Sequence, residues 1–316
     1  MTSTPVPGSE SLDVVTGAFG YTGRYIARML LARGRRVRTL TAHPVREDPL
    51  AEQIEIAPFN FDRPAELARS LEGARCVINT YWVRFDYGGV TYEEAVENTR
   101  VLIEAARQAR VTRFVHVSIT NPSEDSPLRY FRGKAVIERE IRESGLGYTI
   151  LRPTVIFGPE DILINNIAWL LRRFPVFMVP GDGNYRLQPV FVEDFAALAV
   201  GAADDIGNQT LDVAGPDIFT FNELVALLNA MVGRKPWVVH LSRSVALAFS
   251  RLVGLAMRDV LLTDDEIVGL MANLLVSQNP AAGRTRLGDW LSRNKEQIGI
   301  SYASELARRK PSRFRT

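Results

Sequence analysis

The stretch Val14-Val15-Thr16-Gly17-Ala18-Phe19-Gly20-Tyr21-Thr22-Gly23-Arg24 decides how the rest of the chain is read. Two β-branched residues make a short buried strand, three glycines follow at GxxGxxG spacing, and an amphipathic run from about Tyr21 to Arg33 continues as a helix. In such a strand-turn-helix each glycine has its own job: a tight turn, a close backbone approach to a pyrophosphate, and close packing of helix on strand. The amides at the start of the helix then face the phosphates, because a helix N-terminus attracts negative charge. The stretch therefore reads as a dinucleotide-binding loop, with Gly17, Phe19, Gly20, Tyr21, Thr22 and Gly23 at the cofactor.

Outward from the loop, Gly34 stops the helix and Arg36–Thr41 forms the second strand. An NAD-preferring site offers a carboxylate near the end of this strand for the ribose hydroxyls. Here the chain offers Thr41-Ala42-His43-Pro44-Val45-Arg46, and His43 and Arg46 suit a 2′-phosphate. NADP(H) is the expected cofactor and NAD(H) the alternative. Further strands are expected at Ile54–Ile56, at Cys76–Asn79 running into Thr80-Tyr81-Trp82, at Arg113–Ser118, at Tyr148–Leu151 and at Gln209–Val213. Helices are expected from Pro64 to Leu71 and from Glu94 to Arg110, the second with an apolar stripe of 3.6-residue period. Strands alternating with helices at this pace predict an α/β fold, a doubly wound parallel sheet of Rossmann type, with a smaller and mostly helical C-terminal region.

Thr16–Gly23, Asn60-Phe61-Asp62, Asn98–Ser118, Tyr130-Phe131-Arg132-Gly133-Lys134, Leu151–Gly158 and Gln188–Asp194 together resemble the extended and atypical short-chain dehydrogenase/reductase superfamily. The resemblance covers roughly residues 11 to 230. Within it, the run from Tyr130 to Asp194 is most similar to the nucleotide-binding accessory subunit of respiratory complex I, the 39-kilodalton type, and its stand-alone bacterial relatives. The resemblance implies a cofactor site that also takes in Asp62, Thr80, Lys134, Pro153 and Thr154, with the last two beside the nicotinamide carboxamide. It also implies a catalytic Ser118, Tyr130 and Lys134.

Those three residue types suit proton transfer. Ser118 ends a strand at the carboxyl edge of the sheet, where open parallel sheets bind ligands. Tyr130 and Lys134, four apart, share a helix face, and a nearby ammonium favours ionisation of a phenol whose pKa is about 10 in water. Ser118 would hold the substrate oxygen while Tyr130 moves a proton. Accessory subunits of the complex I type keep the nucleotide for structural reasons, so the second reading is an NADP(H)-binding accessory or sensor protein without turnover. Arg186 reads equally as a phosphate or carboxylate ligand and as a surface charge; Glu193 and Asp194 read as helix-opening carboxylates. His240 reads as a buried structural histidine and Cys76 as a small buried hydrophobe.

Composition narrows the partners. Lys and Arg number 38 against 36 Asp and Glu in 316 residues, which argues against nucleic acid and for a small-molecule substrate whose identity stays open. One cysteine and no HExxH, CxxC or GxxxxGK run leave neither a disulfide nor a metal or ATP mechanism to expect. Residues 1–10 read as a disordered lead-in without signal-peptide character. The apolar run Val245–Leu262 is interrupted by Arg251, Arg258 and Asp259, so it reads as an amphipathic helix suited to peripheral membrane or protein-complex contact. The expected organisation is a nucleotide domain over 11–157 and 188–214, a cleft-capping region over 158–187 and 215–302, and a basic tail over 303–316. The expected location is the cytoplasm, or the inner face of a membrane. The oligomeric state is not legible.

Overall fold

The computed structural model describes residues 11–42, 48–86 and 88–309. The lead-in 1–10, His43, Arg46 and the end of the basic tail lie outside them. Cα packing divides the chain into two compact units, the first over Met1–Arg152 and Ala196–Leu211, the second over Pro153–Phe195 and Asp212–Lys310.

In the first unit, β1 (Leu12–Thr16) is buried along its whole length and leads through the glycine loop to α1 (Tyr21–Ala32). There follow β2 (Arg36–Thr41), β3 (Glu55–Pro58), α2 (Pro64–Ser70), β4 (Ala74–Asn79), α3 (Tyr92–Gln108), β5 (Arg113–Val117), α4 (Arg129–Glu143) and β6 (Gly147–Pro153). The sheet runs β3-β2-β1-β4-β5-β6, every one of these pairings parallel, and β11 (Gln209–Val213) adds a seventh strand beside β6. The order turns back between β1 and β4, and open α/β sheets place their ligands at such a reversal. Both faces of the sheet are covered, so its strands are apolar runs rather than alternating ones. Leu102, Ala105 and Ala106 of α3 and Ile137 and Ile141 of α4 pack with Val77, Phe114 and Ile150 in one cluster. Asp13, fully buried in β1, is neutralised by Arg35 at 2.8 Å and Arg75 at 3.1 Å. Cys76 is a buried strand residue, as expected, and burial pushes its thiol pKa up.

The second unit contains β7 (Val155–Phe157), α5 (Leu163–Arg173), β8 (Val176–Pro180), β9 (Arg186–Leu187) and β10 (Pro189–Phe191). The helix α6 (Val192–Ala202) and β11 span the division, residues Ala196–Leu211 belonging to the first unit. The rest is β12 (Phe219–Thr220), α7 (Phe221–Val232), β13 (Trp237–Leu241), α8 (Arg243–Met257), α9 (Asp264–Met271), α10 (Leu287–Asn294) and α11 (Glu305–Arg309). Its short strands form pairs: β7 with β10 and β8 with β13 in parallel, β9 with β12 antiparallel. Capping boxes at Thr220 and Thr263 start α7 and α9.

Candidate functional site

Gly17 leaves β1 with φ +68°, a left-handed conformation that glycine adopts without a Cβ penalty. Its amide donates to the Leu40 carbonyl at 2.9 Å, and the Gly20 amide donates back to the Gly17 carbonyl at 2.7 Å. Thr39 supports the turn from β2: its hydroxyl accepts from the Ala18 amide at 3.0 Å and donates to the Val15 carbonyl at 2.9 Å. A Cβ on Gly23 would stand 2.3 Å from the Gly17 carbonyl oxygen, so only glycine lets α1 press onto the loop. The helix begins after Gly20 with no side-chain cap and no acidic residue in its first turn, leaving its positive end to an anion. Phe19 is buried, Tyr21 packs edge-on to Tyr25, and Thr22 lies on the same first turn. Arg24 is engaged by Asp48 at 2.6 Å.

Beyond the loop, at the carboxyl ends of β2 and β3, lies a cavity of about 490 Å³ lined by Thr41, Ala42, the segment 58–62, Glu94 and Asn98. Asp62 sits on its wall. Phe59 and Phe61 stack at 4.8 Å, and Tyr81 lies 5.1 Å from each ring. The charged side chains lining it, Asp62 and Glu94, are both acidic.

At the end of β4, Thr16 organises a turn. Its hydroxyl donates to Asn79 Oδ1 at 3.0 Å and accepts from the amides of Thr80 at 2.7 Å and Tyr81 at 2.9 Å. The Thr80 hydroxyl donates to the Thr16 carbonyl. With Asn79 Oδ1 so engaged, its amide nitrogen donates to His116 Nδ1 at 3.1 Å, which places the His116 proton on Nε2. Burial, with the Lys134 charge adding to it, holds the His116 pKa well below the usual histidine range. The turn projects Trp82.

α4 begins at Arg129, so Tyr130 and Lys134 do share a helix face. Trp82 meets both. The Lys134 ammonium stands 4.2 Å from the centroid of the indole ring, and the Tyr130 ring packs edge-on to it at 6.0 Å. Lys134 Nζ also donates to the Val117 carbonyl at 2.6 Å. Burial pushes the Lys134 pKa down to about 7, against an upward pull from Glu138. Ser118 faces elsewhere: its hydroxyl donates to Glu138 Oε1 at 2.6 Å. The buried Glu138 carboxylate also accepts from Arg152, at 2.8 and 2.5 Å, and from Arg142 at 2.7 Å.

A family model described as NAD(P)H-binding matches residues 17–161. This stretch is an NAD(P)-binding domain. The chain is 27% identical over 295 residues to the mitochondrial NADH dehydrogenase (ubiquinone) 1 alpha subcomplex subunit 9 of Arabidopsis thaliana, covering 86% of this chain and 72% of that protein. It is 28% identical over 248 residues to a ceramide reductase of Caulobacter vibrioides, covering 74% of each. Among solved structures, the triphenylmethane reductase of Citrobacter sp. complexed with NADP(H) superposes with a TM-score of 0.74 at 18% identity, over 90% of this chain and 99% of that one. The homologues are thus complex I accessory subunits and bacterial relatives, as the sequence resemblance implied.

The first unit carries every expected site residue that the structure describes except Pro153 and Thr154, which lie within the matched stretch but belong to the second unit. There the Thr154 hydroxyl donates to the Gln188 carbonyl and its amide donates to the Val213 carbonyl at 3.2 Å. Arg186 is exposed, and its amide donates to Asn273 Oδ1 at 2.6 Å. Asp194 accepts from the amides of Arg284 and Thr285, each at 2.7 Å, so it fastens a distant loop besides lying in the first turn of α6. His240 corrects the sequence reading. It is exposed on β13 and bonds Asn222 Oδ1 at 2.9 Å, because this strand pairs with β8 alone and buries little.

Around the NAD(P)-binding domain's site, the residues that sequence reasoning missed are Trp82, Glu138 and the Thr16-Asn79-His116 chain. Glu138 carried a signal, since it lies four residues past Lys134 on the same face of α4. Trp82 carried none beyond its place after a strand.

Proposed function

We propose that the chain is an NADP(H)-binding oxidoreductase or epimerase-like enzyme of the extended short-chain dehydrogenase/reductase type, acting on a small molecule at Tyr130. The observation that carries this is the grouping of Tyr130 and Lys134 on one face of α4 around Trp82, at the carboxyl end of β5. The residues fit a dinucleotide: the left-handed Gly17, the contact that forbids a Cβ on Gly23 and the uncapped start of α1 form a cradle for its pyrophosphate. Asp62 and the wall of the 490 Å³ cavity would hold the adenosine half, Thr80 and Lys134 the nicotinamide half. When bound, the nicotinamide supplies or accepts a hydride. Tyr130 holds the proton that a substrate oxygen takes up, and the Lys134 ammonium favours the phenolate left behind.

Ser118 adds a constraint. With its proton donated to Glu138, its oxygen is an acceptor, so it suits a substrate hydroxyl better than a carbonyl. The same commitment supports a second reading, an NADP(H)-binding accessory or sensor protein without turnover, as does the likeness to a complex I subunit. The likeness to a reductase supports the first.

Replacing Tyr130 by Phe separates the two readings. The enzyme reading expects hydride transfer to fall by about two to four orders of magnitude with NADPH affinity retained. Activity untouched by Tyr130→Phe removes this residue from the mechanism, and bound NADPH that no carbonyl or quinone oxidises supports the accessory reading. The preference for NADP(H) rests on Arg46 and His43 after β2. Arg46→Ala should weaken NADPH more than NADH in fluorescence titrations; equal losses would contradict a 2′-phosphate contact.

A further inference from the structure

Between Gly233 and Asp259 the chain carries five basic side chains, Arg234, Lys235, Arg243, Arg251 and Arg258, and no acidic one. The same stretch exposes large apolar groups: Trp237 is 79% exposed, Leu255 77% and Leu252 64%. On α8 the inward face is Ala246, Ser250 and Gly254, at i, i+4 and i+8. Ser250 ties this face down through the Leu262 amide at 3.2 Å, and a Cβ on Gly254 would stand 2.6 Å from the Asp259 carbonyl oxygen. The outward face carries the apolar stripe Val245, Ala248, Leu252 and Leu255, at i, i+3, i+7 and i+10, with Arg251 beside it. β13, which leads into α8, pairs with β8 on one edge and exposes Trp237, Val238 and Val239. Arg243 pairs with Asp264 at 3.2 Å, while Arg251 and Arg258 have no ion-pair partner among the described residues.

We infer that residues 234–258 are a docking surface for an anionic lipid bilayer, with α8 lying along the interface on its Val245–Leu255 stripe and Trp237 at headgroup level. An exposed apolar stripe flanked by cations is the pattern of interfacial helices, and an amphipathic indole partitions to the same depth. Here Arg251 and Arg258 lie beside the stripe, and Asp264 of α9 is taken up by Arg243. Charge argues against a second copy of this chain as the occupant, because an isologous contact would set the five cations against their own images. Among the described residues no helix is long and apolar enough to cross a membrane, so the contact is peripheral.

The test is co-sedimentation of the full chain with vesicles of mixed phosphatidylglycerol and phosphatidylcholine, against phosphatidylcholine alone, with tryptophan emission followed for the wild type and Trp237→Phe. The expected result is binding to the anionic vesicles only, with a blue shift that Trp237→Phe removes. Leu252→Glu with Leu255→Glu should abolish binding, and Arg234→Gln, Lys235→Gln and Arg251→Gln together should weaken it by about tenfold or more. NADPH titration and circular dichroism of each variant report whether it is folded. No binding to anionic vesicles, equal binding to neutral ones, or full binding by folded Leu252→Glu/Leu255→Glu protein would overturn the inference. So would a wild-type dimer that this double variant dissolves, since the stripe would then be a contact between copies. None of these outcomes depends on turnover at Tyr130.

Discussion

Lys134 is an ammonium with almost no contact with water, held by the Val117 carbonyl and the face of Trp82. Burying such a charge costs several kcal/mol, and a desolvated cation–π contact returns about 2 kcal/mol of it. The sign of the pH dependence follows. The folded-state pKa is lowered to about 7 from its ordinary 10.5, so between those values the unfolded chain keeps a proton that the folded one has released. Stability therefore rises with pH across that window, and the penalty is largest below it, where Lys134 is charged in both states. Lys134→Met should remove the slope and stabilise the fold below about pH 7 by an amount on the order of a few kcal/mol, while weakening dinucleotide binding. Thermal unfolding of both proteins from about pH 6 to about pH 9 checks this; parallel curves would mean that Lys134 is not the group responsible. A stabilised but weakly binding variant would mark Lys134 as a residue kept for its site rather than its packing.

At the scale of elements, a carboxylate at the entrance to α5 gives the opposite slope. Asp161 accepts from the Ile164 amide at 2.7 Å and from Asn165 Nδ2 at 3.0 Å. Burial raises its pKa to about 7, outweighing the hydrogen bonds that favour the carboxylate. From about pH 4 to about pH 7 the folded state keeps a proton that the unfolded chain has lost, so stability falls as pH rises. Asp161→Asn should flatten that fall, as urea unfolding at either end of the window would show. The elements also divide by how legible they were. β1, β4 and β5 announce themselves as short apolar runs, β2 by its place after the Gly34 helix stop, and Tyr130 with Lys134 as an i, i+4 pair, because these are local patterns. The pairs β7 with β10 and β9 with β12 leave no such trace, since two or three residues become a strand only through a partner far along the chain. His240 reads as a buried histidine from the sequence, yet one-sided pairing leaves Trp237-Val238-Val239-His240 exposed. Trp82 was hidden for a related reason: long-range packing brings it to the site, and no local spacing encodes it.

The whole molecule joins an NAD(P)-binding domain, matched over residues 17–161, to a second unit whose residues 234–258 are basic and apolar. The proposed chemistry depends on the loop Gly17-Ala18-Phe19-Gly20-Tyr21-Thr22-Gly23 holding a pyrophosphate, which makes Gly23→Ala its most direct test. The added methyl would stand 2.3 Å from the Gly17 carbonyl oxygen and must push α1 off the loop. The measurement is calorimetric titration of the wild type and Gly23→Ala with NADPH, with circular dichroism to show that both are folded. The account predicts micromolar-range binding by the wild type and a loss of about a hundredfold or more in the variant; equal affinity in the two folded proteins would contradict it.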